Sequence, residues 1–137
     1  MSVIKIRSHG LTIYELGDSQ KLETDEGTEE ILANETTPTK YTYASIFSQK
    51  PGQKLKLHYH DIEEVQYIIS GTGVYRDIAG NEHPVKPGMI VYCSEEREGA
   101  HEVENTGTEP LVIFCALAPH GGKFPRTKPV AFHPLPR

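Results

Sequence analysis

With 137 residues, 36 % of them apolar, and a net charge of −5, the chain has room for one domain around one core and none for a second. Its longest unbroken apolar run, residues 111–118, is far short of the roughly 20 that a membrane-spanning helix needs. Lys and Arg are scattered rather than clustered, which argues against a nucleic-acid partner.

The first ten residues alternate apolar and basic side chains without a continuous apolar stretch, so no secretory signal is read there. Cys93 and Cys115 both sit in apolar runs, where a free thiol behaves as a small hydrophobe. They are expected to be reduced, structural thiols of a cytoplasmic protein; a single disulfide is the alternative, which sequence cannot decide.

Helix-period patterns are almost absent, and short alternating runs recur between turn signals. Residues 3–7 read as a half-exposed edge strand and 11–16 as a second strand. Residues 17–40 are polar and acidic with no apolar period, and are expected to form a long loop or lid. From residue 41 the strands come densely: 41–49, 54–60, 64–70, 74–78, 82–85, 89–93, 100–104 and 111–118. They are punctuated by Pro51-Gly52, Gly71-Thr72-Gly73, Ala79-Gly80-Asn81, Pro87-Gly88 and Asn105-Thr106-Gly107. Many short antiparallel strands at this spacing indicate a sandwich or closed barrel, with its core in residues 41–118. Residues 119–137 carry five prolines and read as an extended C-terminal arm rather than a strand. One domain, 1–137, is expected.

The informative segment is residues 51–71. In a strand, side chains two apart project to one face, so His58 and His60 present both imidazoles to a common point. A short turn at residues 61–63 should bring the next strand alongside, antiparallel, with Glu64 offering a carboxylate to the same point. Glu63 is the rival, and alternation from Gln66 and Ile68 favours Glu64. Two imidazoles and a carboxylate suit Fe, Mn, Ni, Co, Zn or Cu better than Mg or Ca. His101, near the start of a later strand, is the best candidate for a fourth ligand. Four protein ligands on an octahedral ion leave positions for water or substrate.

The spacing Gly52-x5-His58-x-His60-x3-Glu64-x6-Gly71 matches the first motif of the cupin family at every defined position, and here the chain resembles that family. The second motif is looser: Pro87-Gly88 opens it and His101-x3-Asn105 closes it. Ser94 stands where a proline is expected, and residues 95–100 run two longer than the usual pattern. The resemblance implies an all-β jelly-roll barrel (a double-stranded β-helix), often dimeric, with three His and one Glu holding one divalent transition metal inside. Without the framing residues, a bare His-x-His is more commonly a solvent-facing pair on a strand.

Strict alternation from His58 and His60 puts Lys56, and with it Lys54, on the cavity face, where a cation would favour an anionic substrate. A twist or bulge before His58 would instead leave both lysines in water. Leu55, Leu57 and Tyr59 then form an apolar face in need of cover, supplied by the N-terminal strand or by a second subunit, whence an expected homodimer. Gln66 is placed to hydrogen-bond a substrate or a metal-bound water, or else to be a satisfied core amide. Tyr43, Ser45 and Phe47 share one face and could line the wall, as could Tyr75 and Tyr92; residues of this kind are more often plain core. Lys56, Gln66 and Tyr43 are the candidate catalytic residues. His9, His83, His120 and His133 fit no ligand spacing.

Three functions fit such a site. Oxidative cleavage of a small organic substrate beside dioxygen is placed slightly ahead, because cupins with four protein ligands include dioxygenases. Redox-neutral chemistry is the second, as in cupin isomerases, lyases, decarboxylases and cyclases. Small lyases acting on sulfonium-carboxylate substrates share a Leu-His-Tyr-His stretch like the one ending at His60. A non-enzymatic barrel that binds a small ligand is the third. A small-molecule substrate is expected, with neither a nucleic-acid nor a membrane partner.

Overall fold

The computed structural model describes residues 2–118 and 130–137. Within them the chain is all β, with short 3-10 turns at Asp18–Gln20 and Arg97–Gly99. In chain order the strands are β1 Val3–Ser8, β2 Leu11–Glu15, β3 Lys21–Thr24, β4 Gly27–Ala33, β5 Tyr43–Gln49, β6 Lys54–Tyr59, β7 Glu63–Ser70 and β8 Gly73–Asp77. They continue with β9 Glu82–Val85, β10 Ile90–Cys93, β11 His101–Glu104, β12 Leu111–Ala118 and β13 His133–Pro134. No described helix is long and apolar enough to cross a membrane.

Two antiparallel sheets face each other. One has the order β10-β7-β12-β5-β4-β3 and the other β13-β6-β11-β8-β9, while β1 and β2 form a separate hairpin. Tyr14 of that hairpin donates its hydroxyl to the Leu32 carbonyl of β4 at 2.6 Å. The core between the sheets holds Ile68, Tyr75, Val85, Val103, Leu111, Ile113, Cys115 and Leu117. Strand β7 shows the governing period of two most clearly: Glu64, Gln66 and Ile68 are buried while Val65, Tyr67 and Ile69 are exposed.

The glycines framing the first motif have separate reasons. Gly52 adopts a φ of +89° in a turn with open space around it, a conformation that costs a residue with a Cβ about 1–2 kcal/mol. Gly71, at a φ of +81°, lies where a Cβ would stand 2.2 Å from the Pro110 carbonyl oxygen, so the chain crosses closely there and only hydrogen fits. Asn105, which closes the second motif, is fully buried. Its amide donates to the carbonyls of Gln49 and Glu109, each at 2.9 Å, and its side-chain oxygen accepts from the Gly107 amide at 2.9 Å. All four of its side-chain bonding directions except one are thereby used, and the turn into β12 is fixed.

Several expectations are corrected. Residues 17–40 are not a long loop: β3 and β4 form an antiparallel hairpin at the edge of the larger sheet. Strands β6 and β7 are not neighbours; the turn between them carries the chain from one sheet to the facing one, so Glu64 reaches the site across the barrel. Strict alternation along β6 fails as well. The register passes from His101↔His58 to Val103↔Leu55, two residues of β11 against three of β6, which is a β-bulge. The bulge inverts the parity before His58: Leu55 packs against the core, and Lys54 and Lys56 are exposed. Finally, a part of the same chain other than the N-terminal strand flanks Leu57 and Tyr59. The C-terminal segment does it, with β13 paired to β6, the Leu135 amide donating to the Leu57 carbonyl at 3.0 Å, and His133 stacked on Tyr59 at 4.7 Å. The arm expected at 119–137 is therefore partly a short strand; residues 119–129, with His120, lie outside the described residues. Both cysteines are free and buried, which removes the disulfide alternative.

Candidate metal centre

Three imidazoles meet between the sheets. His58 is in β6, His60 is the first residue after it, and His101 opens β11, directly opposite His58 in the register. One ring nitrogen of each lies within 4.8 Å of the others. His58 and His101 are almost fully buried.

The other ring nitrogen of each histidine has a fixed partner. His58 Nδ1 donates to the Lys56 carbonyl at 2.8 Å, His60 Nδ1 to the Ala131 carbonyl at 2.8 Å, and His101 Nδ1 to the Gly99 carbonyl at 2.9 Å. A carbonyl only accepts, so each neutral ring carries its proton on Nδ1 and leaves an Nε2 lone pair free. This is how metal-binding histidines are oriented in general. Burial and mutual repulsion hold the rings neutral: the His58 pKa is lowered to about 3 and that of His101 to about 4, with burial the main cause in each case. His60 is lowered too, again chiefly by burial. At neutral pH no proton competes for the three lone pairs.

Glu64 enters from the facing sheet. Its Oε1 lies 3.5 Å from His101 Nε2 and 3.9 Å from His60 Nε2, and it is buried with no hydrogen-bond partner among the described residues. A carboxylate oxygen orphaned in this way beside two unprotonated nitrogens of the triad is an arrangement a cation would complete. Burial raises the Glu64 pKa from 4.5 to about 7. Glu63 faces outward and accepts from the Tyr92 hydroxyl at 2.7 Å.

The loop before His101 explains the two extra residues of the second motif. The Glu96 amide donates to the His60 carbonyl at 2.9 Å, and a 3-10 turn at Arg97–Gly99 follows. A Cβ on Gly99 would overlap the Ser94 carbonyl at 1.7 Å, so the turn closes tightly and aims the Gly99 carbonyl at His101. The same loop thus ties the backbone of His60 to the ring of His101.

The remaining candidates separate clearly. Gln66 is buried at the cavity floor; it accepts the Tyr75 hydroxyl proton, and its amide nitrogen lies 3.4 Å from His101 Nε2. Tyr43 lines a smaller cavity adjoining the site, together with Glu29, His60, Glu64 and Phe132. Lys56 is exposed, and its backbone amide, not its ammonium, is engaged, with Glu26 at 2.9 Å. Phe132 and Ala131 escaped the sequence reading. Phe132 stacks on His58 at 4.3 Å and Ala131 orients His60, yet nothing in a proline-rich tail signals either role. The main cavity, about 230 Å³, also takes in Leu22, Glu26, Glu29, Phe47 and Leu55, so β3 and β4 supply one wall.

A double-stranded β-barrel with a buried imidazole triad able to hold a metal defines the class. The cupin domain model matches residues 45–117, and the chain belongs to the cupin family. It is 25 % identical over 111 residues to an L-ectoine synthase from Aliivibrio fischeri, spanning 79 % of this chain and 83 % of that protein. A predicted oxalate decarboxylase from Thermotoga maritima is 30 % identical with a TM-score of 0.55, over 67 % of this chain and 81 % of the other. A double-stranded β-helix protein from Klebsiella pneumoniae superposes with a TM-score of 0.65 at 20 % identity, over 85 % of this chain and 92 % of the other. That last likeness concerns the fold alone.

The raised Glu64 pKa makes a prediction for metal-free protein. Folding must keep the carboxyl protonated between pH 4.5 and about 7, so the stability associated with it is complete below pH 4.5 and is lost as pH rises through 7. Chelator-treated Glu64→Gln should melt several degrees above wild type at pH 8, and the gap should close by pH 5. Thermal unfolding followed by circular dichroism at the two pH values measures this; a gap that widens toward pH 5 would contradict it.

Proposed function

We propose that the protein is a metal-dependent enzyme that carries out redox-neutral chemistry on a small substrate, with His58, His60, His101 and Glu64 as metal ligands. The observation that supports this best is the orphaned Glu64 oxygen among three imidazoles whose Nδ1 atoms are all committed to backbone carbonyls. A divalent transition ion from the set Mn, Fe, Co, Ni, Zn or Cu would act there as a Lewis acid toward a substrate oxygen. A relative named as an L-ectoine synthase favours this reaction class over dioxygen chemistry.

The chain's own groups have definable parts in that reading. Tyr75 holds Gln66 by its carbonyl end, and burial keeps the Tyr75 hydroxyl protonated. The Gln66 amide is thereby turned toward His101 Nε2, where it would donate to an oxygen of the bound substrate. Phe132, Phe47, Leu22 and Leu55 supply the apolar part of the lining. Among the described residues the lining contains Glu26 and Glu29 and neither Lys nor Arg. The anionic substrate expected from Lys56 is therefore set aside for one whose free end is neutral or positively charged.

Two measurements test the proposal. His58→Ala and His60→Ala should lower bound metal about tenfold or more, and Glu64→Ala less, by plasma emission spectrometry. Turnover by the metal-loaded protein should be unchanged in anaerobic buffer. Equal metal content in wild type and His58→Ala would defeat the site assignment, and turnover abolished without oxygen would restore the dioxygenase reading. Binding without turnover, across several metals, would leave a ligand-binding barrel.

A homodimer is also proposed, on ground different from that read in the sequence. The outer face of β7, β10 and β12 exposes Val65, Tyr67, Ile69, Ile90, Tyr92 and Phe114, with Ile90 at 66 % and Tyr92 at 59 %. Tyr67 stands directly between Ile90 and Phe114 in the register, so the patch is continuous. A twofold axis lets this one face cover its copy. Light scattering should give twice the chain mass, falling to one chain for Tyr67→Glu; a monomeric wild type would refute it.

A further inference from the structure

Cys93 reaches the same buried space from a side that the metal centre does not use. It ends β10 directly opposite Glu64 of β7, and residues paired in this way project to the same face of the sheet. Glu64, Cys93 and His101 each place a ligand atom within 4.8 Å of the other two, and all three are buried. Glu64 is only 5 % exposed, and its unpartnered Oε1 therefore faces two donor clusters, one of three imidazoles and one containing a thiol. Cys93 also borders a separate opening of about 320 Å³, lined with Tyr75, Tyr92, Gly99 and His101, whereas the main cavity does not include it. Cys115 approaches from the other flank of β7, opposite Gln66, where it lines the main cavity and its thiol also lies beside Glu64, yet it belongs to no three-donor cluster among the described residues.

We propose that Glu64, Cys93 and His101 form a second cation position, displaced toward β10, that takes thiophilic ions such as Zn²⁺ or Cd²⁺ in preference to Mn²⁺. It rests on reading this space as metal-holding, and adds the thiol as the element of selectivity. Thiolate favours soft and borderline ions, while a set of imidazoles and carboxylate also serves harder ones. His101 Nε2 has one lone pair and can serve one ion at a time, so the two positions are alternatives rather than a dinuclear centre. As the metal–sulfur bond forms, the thiol proton passes to solvent and nothing is oxidised or reduced.

The test uses Cd²⁺ and Co²⁺ as probes on full-length, chelator-treated protein. One equivalent of either ion should produce thiolate-to-metal charge-transfer absorption in wild type, Cys115→Ser and His58→Ala. The band should be lost in Cys93→Ser and Cys93→Ala, and both variants should keep wild-type affinity for Mn²⁺. X-ray absorption of the wild-type Cd²⁺ protein should count one sulfur ligand, a result that depends on no variant folding. Stoichiometric Cd²⁺ binding without sulfur, or a band that follows Cys115 instead, would overturn the second position. Loss of Mn²⁺ binding in His58→Ala alongside such a result would leave the three-imidazole centre standing, so the two readings fail separately.

Discussion

Three hydrogen bonds from histidine Nδ1 atoms to backbone carbonyls carry the functional architecture. Each one fixes a tautomer, fixes a ring plane and frees an Nε2 lone pair. Their acceptors come from three places: the bulged strand β6 at Lys56, the turn before β11 at Gly99, and the C-terminal segment at Ala131. The site therefore depends on three separate parts of the chain being in place together. Burial adds the second condition, because it keeps the rings neutral and leaves Glu64 costly to ionise while nothing positive stands beside it.

Features that look incidental at the level of the fold follow from this. The bulge in β6 puts Leu55 and His58 inside and sends Lys56 to water. The long second-motif loop bonds to the His60 backbone and presents Gly99 to His101. Phe132 stacks on His58 and closes the site from a part of the chain distant in sequence. The geometry of the three rings is thus held by contacts from several separate parts of the chain, which is what a site that keeps its shape would need.

Much of this was legible before any coordinates. Period-two alternation along β7 distinguished Glu64 from Glu63, and the turn signals located ten of the strands closely, because both depend on local geometry alone. Strands β3 and β4 were missed for a physical reason. Their cavity-lining residues, among them Thr24 and Glu29, border open space rather than a packed core, so the pairing does not need the apolar alternation by which a strand is recognised. For Lys56 strict alternation pointed to the cavity and a bulge to water; the bulge is what the fold contains, and it inverts the period without changing composition. That β6 and β7 belong to opposite sheets was invisible as well, since a three-residue connection serves a hairpin and a barrel corner equally. Ala131 and Phe132 act through tertiary contacts that no local pattern announces.

The central claim is that the three imidazoles and Glu64 surround one cation. Anomalous diffraction at the absorption edge of the loaded metal tests it most directly. The account predicts a single strong peak about 2.1 Å from Nε2 of His58, His60 and His101, with a Glu64 oxygen in its coordination sphere, in Mn²⁺-loaded crystals. A peak elsewhere on the chain, or an ion bound with those three rings turned away from it, would contradict it.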